Sequence, residues 1–487
     1  MKSCKTMRPD RKVGMAAEGS LRVRVSVSPA PVPPSARGRE VRVRFGMVPK
    51  TDRAVLVDNL NVRLRAGQIL LVTGPSGSGK SGVLECLAGQ LDGRAIRVDG
   101  QNPRRGSAIV DQVAPGRPLA EALSVLTACG LGEPRLWLRG PADLSDGEQF
   151  RLRLAMAIGK GLRQPGGDER PGWVLIVDEF CAVLHRRLAR AISFNLRKLI
   201  SSRGLCLVAA TTHEDVQADL RPDWLLCLGG RAPSLQACEP AGRPISFFRG
   251  LHISRGQVDD YRFFEAMHYR QRQGLGPVDK VFVLRDGAEG APLGVVVYGY
   301  PPLALRMRNL ATGGAYHRQG RQLNRDFRTL RRLVIHPDVR GCGLGRWLVA
   351  RTLPLVGTRY VECLAAMGTA NPVFERAGMV RLGVADPPAE QQHACEALRR
   401  LGIDPLAEDF ERAVVRRPAV RRIVAQRVRR WLETTTSRPV ERIRAMTARQ
   451  MAAAYVQLMG ARPVYYLWSA DEREMVRLRG AAERMTM

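Results

Sequence analysis

Eight consecutive residues carry the clearest chemistry in this 487-residue sequence. Glycine alternates with small residues from position 74, and a lysine and a serine complete the segment. Glycines let successive backbone N–H groups turn inward around phosphate oxygens, the lysine neutralises the β- and γ-phosphates, and the serine hydroxyl ligates magnesium. The segment follows an apolar run at 68–73 and opens a helical pattern, which predicts a phosphate-binding loop. Its residues are Gly74, Pro75, Ser76, Gly77, Ser78, Gly79, Lys80 and Ser81.

Two adjacent carboxylates end the apolar run at 173–177, which has the composition of a buried strand. Asp178 would hold magnesium through a water molecule, and Glu179 would polarise the attacking water as general base. A buried strand that ends in acids is common, but this one ends 98 residues after Lys80. The combination predicts an ATP and Mg²⁺ site in which Lys80 and Glu179 are catalytic.

Between these motifs, residues 144–149 read LSDGEQ, ahead of a basic helical pattern at 151–160. With this segment, residues 40–235 resemble the ABC-type ATPases, whose signature reads LSGGQ or LSGGEQ. The resemblance implies an α/β P-loop domain that forms a homodimer around ATP. It further implies ATP contacts from the signature, from a Q-loop glutamine that also ligates Mg²⁺, and from a catalytic switch histidine that touches the γ-phosphate. These residues are Ser145, Gly147, Gln112 and His213.

Two residues depart from the family's pattern at the expected dimer interface. Asp146 replaces the second signature residue, usually glycine, and places a carboxylate near the γ-phosphate. His185 stands where the family's D-loop ends in aspartate. Both departures bear on turnover, whereas the phosphate-binding and metal-binding set is complete. Phe45 is the candidate for the ring that stacks on adenine.

A second glycine-rich loop follows the strand pattern at 331–335. Residues 340–346 read RGCGLGR and open an apolar helical pattern, which again places backbone N–H groups at a helix N-terminus, suited to pyrophosphate. With His-Pro-Asp at 336–338 and NPVFERAGM at 371–379, residues 253–385 resemble the GNAT acetyltransferases. The resemblance implies that acetyl-CoA contacts Arg340, Gly341, Cys342, Gly343, Leu344, Gly345 and Asn371.

The proton donor of such an acetyltransferase is missing from its usual position. Phe374 stands where the family often has a tyrosine that protonates the leaving thiolate, and a phenyl ring cannot deliver a proton. Either another residue does so, transfer is slow, or the domain binds acyl-CoA without catalysis. Glu362 is a candidate base, with an edge or surface carboxylate as the alternative interpretation.

Composition narrows the classes of protein and partner. Lys plus Arg is 77 against 46 Asp plus Glu, for a formal net charge of +31, and 69 of the 77 are Arg. This charge favours a polyanionic partner, although a GC-rich gene also explains the arginine excess. No apolar run approaches the ~20 residues that span a bilayer. The ten cysteines show no paired spacing. The sequence therefore predicts a cytoplasmic protein without stable membrane insertion, disulfide framework or zinc site.

One arginine-rich segment, 306–332, contains a single acid, Asp326. Arginine suits bidentate phosphate contacts, and Tyr316 and Phe327 could stack on unpaired bases. RNA or a ribonucleoprotein is the favoured acceptor, with a solvated surface as the alternative, and the helix near 416–430 allows the same two interpretations. The eight arginines are Arg306, Arg308, Arg318, Arg321, Arg325, Arg328, Arg331 and Arg332.

These patterns divide the chain into four segments of an α/β protein. They predict a disordered basic arm at 1–38, an ABC-type ATPase domain at 39–245, a GNAT-like α+β domain at 250–385 and a helical C-terminal extension at 386–487. The favoured interpretation is an ATP-hydrolysing ABC-type ATPase coupled to an N-acetyltransferase that acts on a macromolecule. One alternative is a nucleic-acid-associated ATPase whose GNAT domain only binds acyl-CoA or a partner. The other is the ATPase subunit of a membrane transporter.

Overall fold

The chain divides into two compact units. Unit 1 consists of Met1–Gln273, Phe282–Val295 and Leu333–Leu348, and unit 2 of Gly274–Val281, Val296–Arg332 and Val349–Met487. The computed structural model describes residues 20–27, 33, 35–47, 54–91, 93–162, 172–230, 232–239, 246, 250–268, 274–385, 389–435, 445–459 and 462–486.

Fifteen strands lie within the described residues. They are β1 Ser20–Val27, β2 Ala54–Arg63, β3 Ile69–Thr73, β4 Ala95–Arg97, β5 Val174–Val177, β6 Cys206–Thr211, β7 Trp224–Cys227, β8 Ser234–Ala237, β9 Leu251–Gly256, β10 Val278–Asp286, β11 Pro292–Gly299, β12 Phe327–Ile335, β13 Tyr360–Ala365, β14 Val380–Val384 and β15 Val464–Ser469.

The α-helices of the same residues carry the remaining regular structure. They are α1 Ala36–Phe45, α2 Lys80–Gly89, α3 Ile109–Gln112, α4 Leu119–Ala128, α5 Pro134–Trp137, α6 Asp146–Gly161, α7 Arg186–Arg203, α8 Gln217–Leu220, α9 Val258–Glu265, α10 Arg306–Ala311, α11 Gly320–Asp326, α12 Leu344–Thr352, α13 Val373–Arg376, α14 Ala389–Arg400, α15 Phe410–Arg416, α16 Pro418–Thr435, α17 Ala448–Met459 and α18 Glu472–Thr486. Among the described helices, none is long and apolar enough to cross a membrane.

A six-stranded sheet forms the centre of unit 1, in the order β4-β5-β6-β3-β7-β8. All neighbours are parallel except β7 and β8. Strands β3, β5 and β6 are buried along their whole length, as expected when helices cover both faces of a parallel sheet. One core joins Leu70 and Val72 of β3 to Leu84 of α2 and to Val57 of β2. This core holds the loop between β3 and α2 on a rigid base.

The N-terminal segment corrects two expectations. Part of the arm predicted to be disordered, 1–38, is strand β1, which pairs antiparallel with β2 and buries Val23 and Val25. Residues 41–45, whose alternating pattern favours a strand, belong instead to α1, because Ser35 caps the helix N-terminus and Gly46 ends it in the left-handed conformation. Residues 35–38 of the predicted arm also belong to α1 and its cap, and residues 1–19, 28–32 and 34 lie outside the described residues.

A seven-stranded sheet has the order β14-β15-β13-β12-β11-β10-β9. In unit 2, β12 and β13 are parallel, and β15 lies antiparallel between β13 and β14. Strand β15 corrects the expectation of a purely helical extension at 386–487, since Val464–Ser469 pairs on both sides within this sheet. Its buried Tyr465 and Leu467 pack with Phe327 and Tyr360 in one core.

Helices α14 to α17 form a separate core within unit 2. Val420, Val424 and Val428 lie four residues apart on the buried face of α16 and pack with Leu398 of α14 and Tyr455 of α17. This spacing places one valine per helical turn on the buried side, which leaves most of the arginines between them on the opposite face. The arginine pattern near 416–430 is therefore largely the exposed side of an amphipathic helix.

Candidate functional site

The ends of three neighbouring strands bring the ATP-site motifs together. The phosphate-binding loop follows β3, the two carboxylates follow β5, and His213 follows β6. Because β5, β6 and β3 are adjacent and parallel, their carboxyl ends meet at one edge of the sheet, where open α/β sheets bind ligands. Thr73 is in register with Thr211, the residue that ends β6. The sheet thus places at one edge three motifs that are up to 139 residues apart in sequence, from Gly74 to His213.

The phosphate-binding loop has the shape of an anion cradle. Helix α2 begins at Lys80, whose Nζ donates hydrogen bonds to the carbonyl oxygens of Gly74 and Pro75, both at 2.7 Å. A Cβ on Gly74 would lie 2.4 Å from the carbonyl oxygen of Leu228, so only glycine fits there. The buried Oγ of Ser78 has no hydrogen-bond partner among the described residues. A buried hydroxyl without a partner, beside the N-terminus of α2, fits a ligand oxygen such as that of a phosphate.

The two carboxylates after β5 lie in a tightly held turn. The backbone N–H of Glu179 donates to Oδ1 of Asp178 at 2.9 Å, and Glu179 adopts a left-handed φ of 48°. A left-handed conformation in a residue other than glycine is strained and persists only where the surroundings impose it. Phe180 supplies that anchor, because its N–H donates to the Ala210 carbonyl of β6 at 2.7 Å and its ring is buried. The Glu179 side chain itself is exposed and accessible to a ligand.

Three residues that the sequence analysis did not single out organise the turn at His213. The buried Thr211 hydroxyl donates to the Phe180 carbonyl at 3.1 Å and accepts from the His213 N–H at 3.1 Å. Arg186 forms a bidentate ion pair with Asp215, with one contact at 2.9 Å, and also donates to the Cys181 carbonyl at 3.3 Å. The hydrogen bond from this guanidinium lowers the pKa of the Asp215 carboxyl. No local pattern marks these residues, since their partners lie about 30 residues away in sequence or in another turn.

The signature segment opens α6 with a capping box. The Ser145 side chain accepts from the Glu148 N–H, and the Glu148 carboxylate accepts from the Ser145 N–H at 2.9 Å. A Cβ on Gly147 would lie 3.3 Å from Cδ2 of Leu184, so the signature packs against the turn after β5. Arg151 donates to the carbonyl of Gly147 at 3.1 Å and fixes it from the following helical turn. Ser145 and the adjacent Asp146 side chain remain exposed.

The side chain of Gln112, predicted to ligate magnesium, is engaged in other hydrogen bonds in this structure. Its side chain is buried, its Oε1 accepts from the Arg104 N–H at 2.7 Å, and its Nε2 donates to the carbonyls of Ser107 at 2.9 Å and Arg104 at 3.2 Å. The carboxamide therefore ties down the 104–107 loop in this structure. Metal binding by Gln112 would require these hydrogen bonds to rearrange.

Without Gln112, the candidate metal site has few protein ligands. Within the described ranges, no group of three or more His, Cys, Asp and Glu side chains could hold an ion. Ser81 and Asp178 both lie at the sheet edge with the phosphate-binding loop. Mg²⁺ commonly takes one or two protein oxygens together with water and substrate phosphates. This donor set fits Mg²⁺ that arrives with a nucleotide.

The second glycine-rich loop is packed against the ATPase part of unit 1. The Asn195 amide of α7 donates to the Arg340 carbonyl at 3.1 Å, and Arg340 itself donates to the carbonyl of Gly132 at 2.8 Å. Cys342 is 3% exposed, and burial raises the pKa of its thiol to about 12. A Cβ on Gly341 would lie 2.7 Å from the Asn195 amide nitrogen. Cys342 and the side of Gly341 that faces α7 are thus covered, although Gly341 itself is exposed.

Beyond Cys342, this loop is open. A Cβ on Gly343, which has a φ of 86°, would meet no atom within 4 Å. Helix α12 begins at the next residue, Leu344, so the approach to this helix N-terminus is free on the Gly343 side. Of the loop residues predicted to contact acetyl-CoA, Gly343 is exposed with open space beside it, whereas Leu344 is buried. Asn371 is exposed in unit 2, where its N–H donates to the Met367 carbonyl at 2.8 Å.

The candidate base Glu362 is a structural residue. It is 1% exposed, pairs with the buried Arg308 at 2.8 Å and accepts hydrogen bonds from the hydroxyls of Thr329 at 2.8 Å and Tyr465 at 3.0 Å. Both of its oxygens are used inside unit 2, so it is neither an edge carboxylate nor free to accept a substrate proton. The interpretation as a base is wrong for this structure.

Part of the arginine-rich segment also belongs to the interior of unit 2, while four of its eight arginines are exposed. Arg308 is buried, and Arg328 pairs with Asp279 at 2.9 Å and stacks on the Tyr300 ring at 4.4 Å. Tyr316 and Phe327, predicted to stack on bases, are buried edge to face against each other with ring centroids 4.8 Å apart. These aromatic rings are part of a core and are not exposed to RNA.

Part of the chain matches a known protein family. Residues 57–163 match the ABC transporter family. The sn-glycerol-3-phosphate import ATP-binding protein of Rhizobium johnstonii is 27% identical over 304 residues, which cover 54% of this chain and 77% of the relative. The aliphatic sulfonates import ATP-binding protein of Cupriavidus necator is 32% identical over 167 residues, or 29% of this chain and 54% of the relative.

Solved structures give a weaker likeness. The dimeric, post-hydrolysis ATP-binding cassette MJ0796 with ADP and Pi aligns over 40% of this chain and 95% of its own, with 20% identity and a TM-score of 0.31. At that TM-score the alignment carries no argument about assembly. The family match and the three motifs at the sheet edge together show that the chain contains an ABC transporter ATPase domain with an α/β P-loop fold.

Proposed function

We propose that the protein binds Mg²⁺ and ATP at the edge of the six-stranded sheet and hydrolyses the γ-phosphate bond. The observation that carries this proposal is the meeting of three motifs at the ends of β3, β5 and β6. Lys80 and the amides at the start of α2 supply the positive potential that the phosphates need. Ser81 and Asp178 would hold Mg²⁺, which would offset the charge of the phosphates.

Glu179 is the residue that we assign to the attacking water. Its carboxylate is exposed directly after the buried strand β5, and the strained turn holds its backbone in one orientation. His213 comes from the adjacent strand and is assigned to the γ-phosphate. A base and a charge-stabilising group on neighbouring, rigid strand ends can be held in position without a large loop movement.

Dimerisation around ATP follows from the same assignment. Ser145 and Asp146 are exposed at the start of α6, where a capping box fixes the first turn of the helix. In the proposed dimer, this turn of one copy meets the nucleotide held by Lys80 of the other. Asp146 adds a carboxylate at that contact, which we expect to weaken closure because like charges repel.

The experiment is phosphate release combined with size measurement. Wild-type protein should release phosphate from ATP only with Mg²⁺, and Glu179→Gln should abolish release but form a dimer on gel filtration with MgATP. Lys80→Ala is the matched control, since it should lose both nucleotide binding and the dimer. A Glu179→Gln protein that stays monomeric at saturating MgATP would refute the sandwich arrangement.

A membrane transporter is one candidate partner for this ATPase. It is supported by the names of the relatives, which are import ATP-binding proteins for sn-glycerol-3-phosphate and aliphatic sulfonates. In that case, the Glu179→Gln protein should sediment with the membrane fraction of its host, whereas the Lys80→Ala protein should remain in the soluble fraction. Recovery of both variants in the soluble fraction would argue against the transporter.

Acyl-CoA transfer is the second candidate function, with its site at the open end of the loop near Gly343. It is supported by the succession of β12, loop, α12 and β13, whose two strands are parallel, and by the open approach at Gly343. Tyr466 does not replace the missing proton donor, because its side chain is buried and its hydroxyl donates to Glu375 at 3.2 Å.

RNA is retained as a partner only for the exposed face of α16. This face carries Arg422 and Arg429, both exposed, and the stretch 410–433 holds eight Arg against two Glu. A groove of about 890 Å³ runs along it. A positive helix face of this kind fits a phosphate backbone, whereas the segment 306–332 has its aromatic rings buried.

A further inference from the structure

A single hydroxyl connects the two turns that carry the proposed catalytic groups. Thr211 ends β6 and is fully buried. Its Oγ1 donates to the carbonyl oxygen of Phe180, the residue after Glu179, and accepts from the N–H of His213. Both distances are 3.1 Å. A threonine hydroxyl has one proton to donate and lone pairs to accept, and here it uses both functions on the two catalytic turns.

We infer that Thr211 is a positioning residue that sets the spacing between Glu179 and His213 for ATP hydrolysis. This inference rests on the proposed function. The Phe180 carbonyl and the His213 N–H are main-chain groups, so the hydroxyl controls where both backbones run. Without this hydroxyl, the His213 N–H and the Phe180 carbonyl lose their common hydrogen-bond partner. Leaving such groups unpaired beside a buried side chain costs enough free energy to make either turn shift.

A second link lies on the outside of the same two turns. Arg186, the first residue of α7, donates to the Cys181 carbonyl at 3.3 Å and pairs with Asp215, two residues after His213. Arg186 therefore joins the turn that follows Glu179 to the turn that follows His213. The same pair of turns is thus held by two links, one buried and one partly exposed.

The strain in the first turn gives these links a function. Glu179 and Cys181 both have left-handed φ angles, 48° and 57°, and neither is glycine. Such conformations relax unless contacts hold them. The Phe180 carbonyl bound by Thr211 and the Cys181 carbonyl bound by Arg186 are two of those contacts. Their loss should displace Glu179 relative to His213 but leave the phosphate-binding loop after β3 in place.

The test compares Thr211→Val, Thr211→Ser and Ser193→Ala in the full chain. Valine keeps the branched shape of threonine and removes both hydrogen bonds, while serine keeps the hydroxyl. Ser193 is the matched control, since it is also buried in unit 1 but its hydroxyl only donates to Ala189 of its own helix at 2.8 Å. The readouts are kcat and KM for ATP hydrolysis, the Kd of ATP in a Glu179→Gln background, and the melting temperature.

We expect Thr211→Val to lower kcat roughly ten- to a hundredfold, the scale on which small misplacements of reacting groups act, with KM and Kd within about twofold of the wild type. Thr211→Ser should restore most of kcat, and Ser193→Ala should keep it. A Thr211→Val enzyme with unchanged kcat, or one whose kcat and ATP affinity fall together, would overturn the inference. A wild-type protein that releases no phosphate would instead overturn the proposed function.

Arg186→Gln decides the case in which Thr211→Val does not fold. Arg186 and Asp215 are partly exposed, so loss of their pair should cost little stability. A severalfold fall in kcat at constant KM, reversed in part by Arg186→Lys, supports the linked turns. Full activity in Arg186→Gln would overturn the inference that these contacts link the two turns for catalysis.

Discussion

The side-chain amide of Asn195 in α7 donates a hydrogen bond to the main-chain carbonyl of Arg340, 145 residues further along the chain, at 3.1 Å. Helix α7 begins six residues after the buried Phe180, directly behind the turn that carries Glu179. The loop at 340–342 therefore contacts the helix that follows the proposed catalytic turn. This contact explains why half of the predicted pyrophosphate loop is closed to a ligand.

The first prediction concerns the glycine at this contact. Gly341→Ala and Gly343→Ala carry the same conformational penalty, because φ is 85° at one and 86° at the other. Only the Gly341 substitution meets a neighbour, the Asn195 amide at 2.7 Å, whereas Gly343 faces open space. Displacing that amide breaks its hydrogen bond, so Gly341→Ala should destabilise the protein by about 1 kcal/mol more than Gly343→Ala.

Urea unfolding of the two variants measures the difference. Asn195→Ala provides the control, since it removes the clash and should bring the two alanine variants to nearly equal stability. Equal stability in the presence of Asn195 would show that this packing is absent in solution.

The phosphate-binding loop could be predicted from the sequence because its chemistry is local. Eight contiguous residues define the turn, and the apolar run before it defines the strand. The position of Gln112 could not be predicted in this way, because its partners are backbone groups of Arg104 and Ser107 that the fold of a loop brings to it. The same holds for the burial of Cys342, because its partner, the Ala191 carbonyl of α7, lies 151 residues earlier in the chain.

Two elements show where one sequence pattern outweighs another. Residues 41–45 alternate as a strand does, yet a serine cap at 35 and Gly46 mark a helix between them, and these end signals are the better guide. The run at 464–469 is aromatic and β-branched, the composition of a strand, although helical patterns surround it. Its place between β13 and β14 depends on pairing over about 100 residues, which no local pattern reports.

The second prediction tests acyl-CoA binding at the open end of the loop. Wild-type protein should bind acetyl-CoA in calorimetry, and Gly343→Val should abolish binding, because the added side chain fills the space through which pyrophosphate would approach the backbone. Gly341→Ala is the comparison, since its neighbour is Asn195 and not the open space. Absence of heat with the wild type would remove the acyl-CoA proposal.

The third prediction concerns the carboxylate in the signature. Asp146 is exposed in the first turn of α6, where a negative charge stabilises the helix N-terminus by about 0.5 kcal/mol. Asp146→Gly should therefore cost slight stability but lower, severalfold, the ATP concentration at which the Glu179→Gln protein dimerises, because a charge facing the γ-phosphate is removed. Asp143→Gly, a neighbouring exposed acid outside the signature, is the control. An unchanged ATP requirement in Asp146→Gly would contradict the assigned interface.

The fourth prediction concerns the buried ion pair of unit 2. Glu362→Gln leaves the Arg308 guanidinium buried without a counter-charge, so it should destabilise the protein by about 3–5 kcal/mol. The double variant Arg308→Met with Glu362→Leu removes both charges and should recover much of that loss. Thermal unfolding, monitored by circular dichroism, compares the stability of the single and the double variant. A mild effect of Glu362→Gln would mean that water reaches the pair.

The last prediction separates a nucleic-acid surface from an excess of arginine. If the exposed face of α16 follows a single-stranded RNA backbone, the logarithm of affinity should fall linearly with the logarithm of salt concentration, by about 0.7 for each phosphate contacted. Replacing Arg422 and Arg429 by Gln removes two exposed charges from that face and should flatten the slope by about 1.4. Arg321→Gln with Arg325→Gln is the matched control, taken from the segment whose aromatic rings are buried. If the control pair changes the slope and the α16 pair does not, RNA binds along 306–332 and the assignment to α16 is wrong. If RNA binds to neither set with a measurable slope, the arginines are a solvated surface.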